Sequence, residues 1–334
     1  AKLFVDDDVP IDCNPLGPEN NLYIITGPLT GTGFPATSRY GAAAKSPLTG
    51  IWGEANCGGF FGPTLKFAGW DGIVIRGQSA EPVTLVIEDE KASLQDASDL
   101  WGGDTYETVD ALEQQFTGKP PVSVISIGQA GEHLVRFSNI VDGKHDFLGR
   151  TGLGAVMGSK RLKAIAARGS AKVMPADQRT FAEIRTMCAK GLKTDLLALG
   201  FNMGGTNMGM TTSHEKGDVP IKNWTVGEDH DLIHDLSSEV MNEKYLTRPT
   251  ACFRCAVACK RNVKVEEGPY KMEGPGPEYE TMSSFGTMCT ISDQAAVNKI
   301  TDLCNRYGID TISCGCTMAF AIDCYETGIL TDAD

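Results

Sequence analysis

The feature that most limits the fold is a change of texture near residue 174. Up to Val173, short β-branched and apolar runs alternate with Gly and Pro punctuation; beyond it, apolar residues recur at helical spacing. Leu22-Tyr23-Ile24-Ile25, Gly72 to Ile75, Val83 to Ile87, Val122 to Ile127 and Leu162 to Ala166 read as strands, with a helix from Tyr106 to Phe116 among them. In the second half, Phe181 to Leu192 and, with a weaker pattern, Leu232 to Tyr245 read as helices. Ser292 is placed to cap another, whose apolar stripe is Ala296, Val297, Ile300, Leu303 and Cys304 and which Gly308 ends. The stripe reads as core and is assigned no chemistry. A last helix runs from about Thr311 to Glu326, with Gly328 after it. The expectation is an α+β fold: a β-rich domain over 1–173, then a mainly helical domain over 174–334.

Charge narrows the function. The 334 residues carry 43 acidic and 30 basic side chains, a net charge of -13. That speaks against nonspecific nucleic-acid binding and against a polybasic membrane surface, both of which need a basic footprint. No apolar run reaches the roughly 18 residues that a membrane helix needs. No signal peptide is visible, and the chain opens on Ala1-Lys2-Leu3 without a methionine, so its natural N-terminus is expected to be missing. The 11 cysteines do not fall at the spacings of a secreted disulfide scaffold, which points to a reducing compartment and a metal site.

Three of those cysteines form Cys252-x-x-Cys255-x-x-x-Cys259. Two intervening residues let a pair of thiolates turn toward one centre, and three more bring round the third. Iron–sulfur clusters and structural zinc both use four ligands as a rule, so the spacing leaves both open. Cys289, Cys304, Cys314, Cys316 and Cys324 are possible fourth ligands, although Cys304 and Cys324 fall on predicted helices as packing residues. Three Gly-rich segments, starting at Gly27, Ala55 and Gly149, could offer backbone N–H groups to phosphate, with Arg39 and Arg150 adding charge. Singly each reads better as a plain turn. The string Gly152-Leu153-Gly154 onward lacks the strand–turn–helix setting and the downstream acid of a nucleotide site, and we reject that reading. In Gly276-Pro277-Glu278-Tyr279-Glu280 two carboxylates flank an aromatic ring. A glutamate held dry there would have a raised pKa and could move protons, whereas alone the segment reads as a solvated turn.

Together the segments resemble the aldehyde:ferredoxin oxidoreductase family. The matching strings, in family order and covering nearly the whole chain, are PLGPENNLYIITGPLTGTG, KSPLTG, ANCGGFFGPTLKFAGWDGIVIRG, GQAGEHLVRF, GRTGLGAVMGSKRLKAI, CFRCAVAC, GPEYET and CNRYGIDTIS. The resemblance implies tungsten (sometimes molybdenum) held by two pterin dithiolenes of the molybdopterin type, beside one [4Fe-4S] cluster. Cys252, Cys255 and Cys259 match three cluster ligands; the fourth is expected beyond Asp334. Asn305, Gly308, Asp310 and Thr311 match the first of two pterin loops. Arg39 and the turn of Asn56, Gly58 and Gly59 match pterin and phosphate contacts, and the Asn56 carbonyl matches a Mg2+ ligand. Glu280 matches an acid near tungsten, a candidate general base. The N-terminal domain becomes the β-rich cradle of the pterins, and the chain is expected to be truncated at both ends.

Departures qualify the resemblance. An Arg-Ala pair common after the histidine matching His145 is Asp146-Phe147 here; the carbonyl of Phe147 can still serve Mg2+, and Arg150 is the candidate replacement for the lost phosphate contact. Asn305 stands where some members have Asp. A Glu-x-x-His pair that binds an intersubunit iron in some members is Lys299 and Asp302 here, which argues against that bridge. The implied activity is oxidation of a small aldehyde to a carboxylic acid, with electrons passed through the cluster to ferredoxin or an iron–sulfur subunit, in a cytoplasmic protein that is a homo-oligomer or part of a complex. The rivals are a tungsten subunit of the benzoyl-CoA reductase type, and a non-enzymatic metal-binding or electron-transfer subunit.

Overall fold

The computed structural model describes residues 2–7 and 9–333. The fold is α+β, and the chain packs as two compact units. The first holds residues up to Lys190 together with Cys252–Ala256 and Asn305–Asp310; the second holds Gly191–Ala251, Val257–Cys304 and the residues from Thr311 onward.

The first unit runs α1 (Lys2–Asp6), β1 (Leu22–Thr26), β2 (Tyr40–Lys45), β3 (Trp52–Cys57), α2 (Phe61–Phe67), β4 (Gly72–Ile75), β5 (Val83–Glu88), β6 (Lys91–Asp96), α3 (Thr105–Gln115), β7 (Ser123–Ser126), α4 (Gln129–Glu132), β8 (Ile140–Asp142), β9 (Asp146–Leu148), α5 (Leu153–Ser159), β10 (Leu162–Arg168) and α6 (Gln178–Leu192), whose last residues lie in the second unit. Its strands form an antiparallel sheet in the order β3-β2-β1-β4 and a six-stranded sheet in the order β6-β5-β10-β7-β8-β9. Only β10 and β5 run parallel among these pairs. β10 is buried along all but its last residue, as a strand flanked by strands on both sides should be, with Lys163 interrupting its apolar run. Leu22, Ile24, Tyr40, Phe61, Ile125, Leu148, Leu153 and Ile165 meet in one core. α3 begins with a capping box: Asp104 accepts from the N–H of Glu107, and Glu107 accepts from the N–H of Asp104.

The second unit comprises α7 (Leu196–Gly204), a 3-10 turn over Gly205–Gly209, α8 (Met210–Glu215), α9 (His230–Asp235), α10 (Ser238–Lys244), β11 (Leu246–Thr250), β12 (Lys260–Val265), β13 (Met272–Pro275), α11 (Tyr279–Thr281), a π-helical stretch Met282–Thr287, most of α12 (Gln294–Tyr307), and α13 (Thr311–Glu326). β11, β12 and β13 make an antiparallel sheet that the helical reading of this half did not foresee. The single helix expected over Leu232 to Tyr245 is two: α9 stops, and Ser237 caps α10 by accepting from the N–H of Val240. On α12, Asp293 rather than Ser292 supplies the capping oxygen, to the N–H of Ala295 at 2.9 Å. Ala296, Val297 and Cys304 of its stripe are buried, but Leu303 is 40% exposed and not core. Gly308 ends the helix at φ +72°, where a side chain would be strained. Among the described residues, no helix is long and apolar enough to cross a membrane.

Candidate functional site

Antiparallel pairing of β2 with β3 sets Gly41 opposite Asn56 and Tyr40 opposite Cys57. The exposed Arg39 therefore reaches Asn56: its Nη1 donates to the side-chain oxygen at 3.0 Å and to the backbone carbonyl at 3.3 Å. Beyond β3 the chain turns at Gly58 and Gly59, and Gly59 has φ +69°. A methyl on Gly58 would come within 2.5 Å of Cys252 Sγ, and one on Gly59 would collide with the carboxylate of Asp142. Both positions need glycine because other groups approach the backbone directly.

The segment Cys252–Ala256 lies on this turn within the first unit. Phe253 N–H donates to Gly59 O at 3.2 Å, and the Phe253 ring stands edge-on to Phe67 with centroids 5.7 Å apart. Cys252 Sγ donates to Asp146 Oδ1 at 3.5 Å. Beneath the turn, Asp142 accepts from Tyr40 OH and from the N–H of Phe61, each at 3.2 Å. Burial, then the charges of Asp142 and Asp146, push the Cys57 thiol well above its usual range. Burial and Asp142 do the same to the Tyr40 phenol. Asp142, Tyr40 and Cys57 carried no signal in the sequence beyond their residue types. Arg254 and Ala258 take left-handed backbone conformations on either side of Cys255, at φ +53° and +51°. Such positions cost of order 1–3 kcal/mol each and gather at ligand sites.

The segment Asn305–Asp310 also belongs to the first unit. Thr105 Oγ1 donates to Asn305 O at 2.9 Å, Asn139 N–H to Gly308 O at 2.8 Å, and Asp310 N–H to Phe137 O at 3.1 Å. Arg150 Nε lies 3.2 Å from the buried Asp310 Oδ2, so these two predicted residues are brought together. The amide nitrogen of Asn305, the hydroxyl of Ser138 and the side-chain oxygen of Asn139 are buried with no hydrogen-bond partner among the described residues. Phe147 sits in β9, opposite Val141 of β8.

The second unit holds Cys259, Glu280 and Thr311. A methyl on Gly205, at φ +66°, would lie 3.0 Å from Cys259 O, and Arg261 beside it donates to the carbonyls of Phe201, Asn202 and Ala258. Glu280 is exposed in the short α11. Its neighbour Glu278 accepts from Thr206 Oγ1, which in turn accepts from the N–H of Tyr279. Burial raises the Tyr279 phenol, and the Glu280 charge adds to the rise. Thr311 Oγ1 pairs with Thr281 Oγ1 at 2.7 Å. Lys299 and Asp302 form an ion pair of 2.8 Å.

The profile of the aldehyde ferredoxin oxidoreductase N-terminal domain matches residues 1–169, and that of aldehyde ferredoxin oxidoreductase domains 2 and 3 matches residues 183–334. The chain belongs to the aldehyde ferredoxin oxidoreductase family. It is similar to the tungsten-containing aldehyde ferredoxin oxidoreductases of Thermococcus kodakarensis (42% identical over 320 residues, 96% of this chain and 52% of that protein) and Pyrococcus furiosus (41% over 333, 99% and 54%). It is 32% identical over 335 residues to the WOR-like subunit of an aliphatic sulfonate oxidoreductase of Pyrococcus furiosus, covering 96% of this chain and 53% of that one. Among solved structures it resembles the active-site complex BamBC of benzoyl coenzyme A reductase in complex with 1,5-dienoyl-CoA. There the TM-score is 0.86 at 29% identity, over 100% of this chain and 52% of that chain. The chain spans about half the length of the curated relatives it matches.

Two features of the chain bear on an anionic pterin and a sulfur-ligated cluster. Gly58 and Gly59 keep the backbone bare next to Asn56, to which Arg39 donates, and buried Ser138, Asn139 and Asn305 each keep a polar atom without a hydrogen-bond partner among the described residues. Cys252 and Cys255 in the first unit, and Cys259 in the second, are each half-buried soft sulfur donors. Among the described residues, no three His, Cys, Asp or Glu side chains converge as a metal-holding group, so the cluster reading stands on donor chemistry and spacing.

Proposed function

We propose that this chain is the pterin- and cluster-bearing part of a tungsten enzyme that oxidises an aldehyde and water to a carboxylic acid, releasing two protons and two electrons. The paired Arg39 and Asn56 at the glycine turn carry the reading, because they set a guanidinium and a bare backbone beside the segment that bears Cys252 and Cys255. In this reading Arg39, Gly58, Gly59, Arg150, Asn305, Gly308, Asp310 and Thr311 hold the pterins. The carbonyls of Asn56 and Phe147 bind Mg2+, and the three clustered cysteines hold a [4Fe-4S] group whose fourth ligand is supplied elsewhere. The bound tungsten supplies Lewis acidity and a two-electron store.

What the chain contributes is binding, charge and proton movement. Arg39 and Arg150 offset anionic phosphate, with Arg150 held in place by Asp310. Glu280, exposed and ionisable on α11, takes the proton released when water adds to the carbonyl. Electrons leave for ferredoxin or an iron–sulfur subunit in the cytoplasm. The WOR-like subunit and the BamBC complex among the relatives favour a place in a larger assembly.

The likeness to the BamBC complex favours one second reading, electron transfer to or from a dienoyl-CoA. A panel of aliphatic and aromatic aldehydes, assayed anaerobically with viologen on the full-length protein, separates the two. Aldehyde-dependent viologen reduction is the expected result. Inert aldehydes together with turnover of dienoyl-CoA would replace the first reading by the second.

A further inference from the structure

Three cysteines of the second unit take no part in the reaction described above and lie where α13 packs on the π-helical stretch: Cys289, Cys314 and Cys316. The packing is close at Gly315, where a methyl would lie 2.7 Å from both the carbonyl carbon and the Cβ of Ser284. Cys314 and Cys316 flank that glycine, and Cys289 follows the π-helical stretch after Met288. Two sulfur contacts cross the junction in opposite directions. Cys289 Sγ donates to Ser284 O at 3.5 Å and lies 3.8 Å from Gly315 O, a carbonyl one peptide bond from Cys316. Cys316 Sγ donates to Met288 Sδ at 3.8 Å, on the residue next to Cys289. Each sulfur therefore rests against the immediate neighbour of the other cysteine.

The two thiols differ in reach. Cys316 is exposed and meets dissolved oxidants first. Cys289 is half-buried; burial pushes its thiol up to about 11, and the charges of Cys316 and Cys314 add to the rise. It therefore stays protonated at neutral pH and is slow to react with an oxidant in water. A thiol of that kind still condenses with a sulfenic acid beside it.

We propose that Cys289 and Cys316 form a reversible modification site, at which a peroxide closes a disulfide between α13 and the segment that follows the π-helical stretch. The Cys316 thiolate attacks one peroxide oxygen and breaks the O–O bond, giving a sulfenic acid and hydroxide, which takes up the proton the thiol had released. The Cys289 sulfur then attacks the sulfenic sulfur, and its proton leaves with the hydroxyl as water. Two thiols are oxidised to one disulfide, and one hydroperoxide is reduced. In a reducing compartment such a bridge is transient, as a redox-sensing disulfide should be. The site needs neither tungsten nor the cluster, so it stands or falls apart from the function proposed above.

The test is peptide mapping by mass spectrometry of the full-length protein, treated with limiting hydrogen peroxide and then alkylated under denaturing conditions. Wild type and C314S are both expected to lose Cys289 and Cys316 to alkylation and to yield the two peptides linked, with dithiothreitol separating them. In C289S, Cys316 is expected as a sulfenic acid trapped by dimedone; in C316S, Cys289 is expected to remain alkylatable. Three results in the wild type would each overturn the proposal: a link from Cys289 to Cys314 instead, sulfinic Cys316 beside an alkylatable Cys289, or both thiols fully alkylatable after peroxide.

Discussion

Two buried polar regions, one in each unit, are built in opposite ways. In the first unit Lys163 is fully buried on β10 and paired with a buried carboxylate. Its Nζ donates to Glu132 Oε1 at 2.5 Å and to Gly103 O at 2.8 Å, while Glu132 Oε2 accepts from the N–H of Gly102 at 2.9 Å. In the second unit, Gln294 and Asn298 lie one turn apart on α12, both buried. Gln294 gives one hydrogen bond, to Ser237 O at 3.1 Å, and both polar ends of Asn298 are without a hydrogen-bond partner among the described residues. The first region ties β10, α4 and the loop before α3 to one register, since a slipped strand would strand a charge. The second region carries a desolvation cost that its protein contacts do not offset.

The sharpest way to break this contrast is Lys163→Met, which leaves the Glu132 carboxylate buried without its counter-charge. It should cost about 3–5 kcal/mol, read as a lowered urea midpoint; a loss within about 0.5 kcal/mol would show that the pair specifies nothing. Lys160, the other buried lysine of this unit, donates to Gly77 O at 3.0 Å, and burial lowers its pKa to about 8 from 10.5. Between those values the folded protein has released a proton that the unfolded chain still binds, so this group makes stability rise with pH across that window. Lys160→Met should remove that rise. The stability difference between variant and wild type, followed by urea unfolding from about pH 7.5 to about pH 10, would stay constant if Lys160 titrated normally.

The second unit should respond more weakly. Asp293→Ala removes the oxygen that caps α12 and should cost about 1 kcal/mol, whereas Ser292→Ala should be close to neutral; the reverse order would return the cap to Ser292. Asn298→Leu, close in size, should be neutral or stabilising by up to about 1 kcal/mol, because it removes unmatched polar atoms. A loss of more than about 2 kcal/mol would mean that the amide is matched after all, and the contrast between the two regions would fail.

How far the sequence reached depended on whether the relevant force was local. β1, β4, β5, β7 and β10 were readable from apolar and β-branched runs, and α3, α6, α12 and α13 from helical spacing. β2, with the sequence YGAAAK, was not, since Ala and Gly have little strand preference and the strand exists because β1 and β3 pair with it. β11 was hidden for the same reason: LTRPT holds a proline and exposed polar residues that do not alternate cleanly. The π-helical stretch at Met282–Thr287 has no local signature. At the candidate site, the long strings in order disclosed the family, and spacing disclosed the cysteines. The contact of Arg39 with Asn56, that of Arg150 with Asp310, and the approach of Asp146 to Cys252 depend on register and chain crossing, and only the folded chain displays them.

Tungsten and an iron–sulfur cluster in the full-length protein are what the proposed function requires. Mass spectrometry for W, Mo, Fe and Zn on anaerobically purified native material asks this directly. The expected result is about one W, or Mo in its place, with about four Fe per chain. Zinc without W, Mo or pterin would contradict it and reduce the clustered cysteines to a structural metal site.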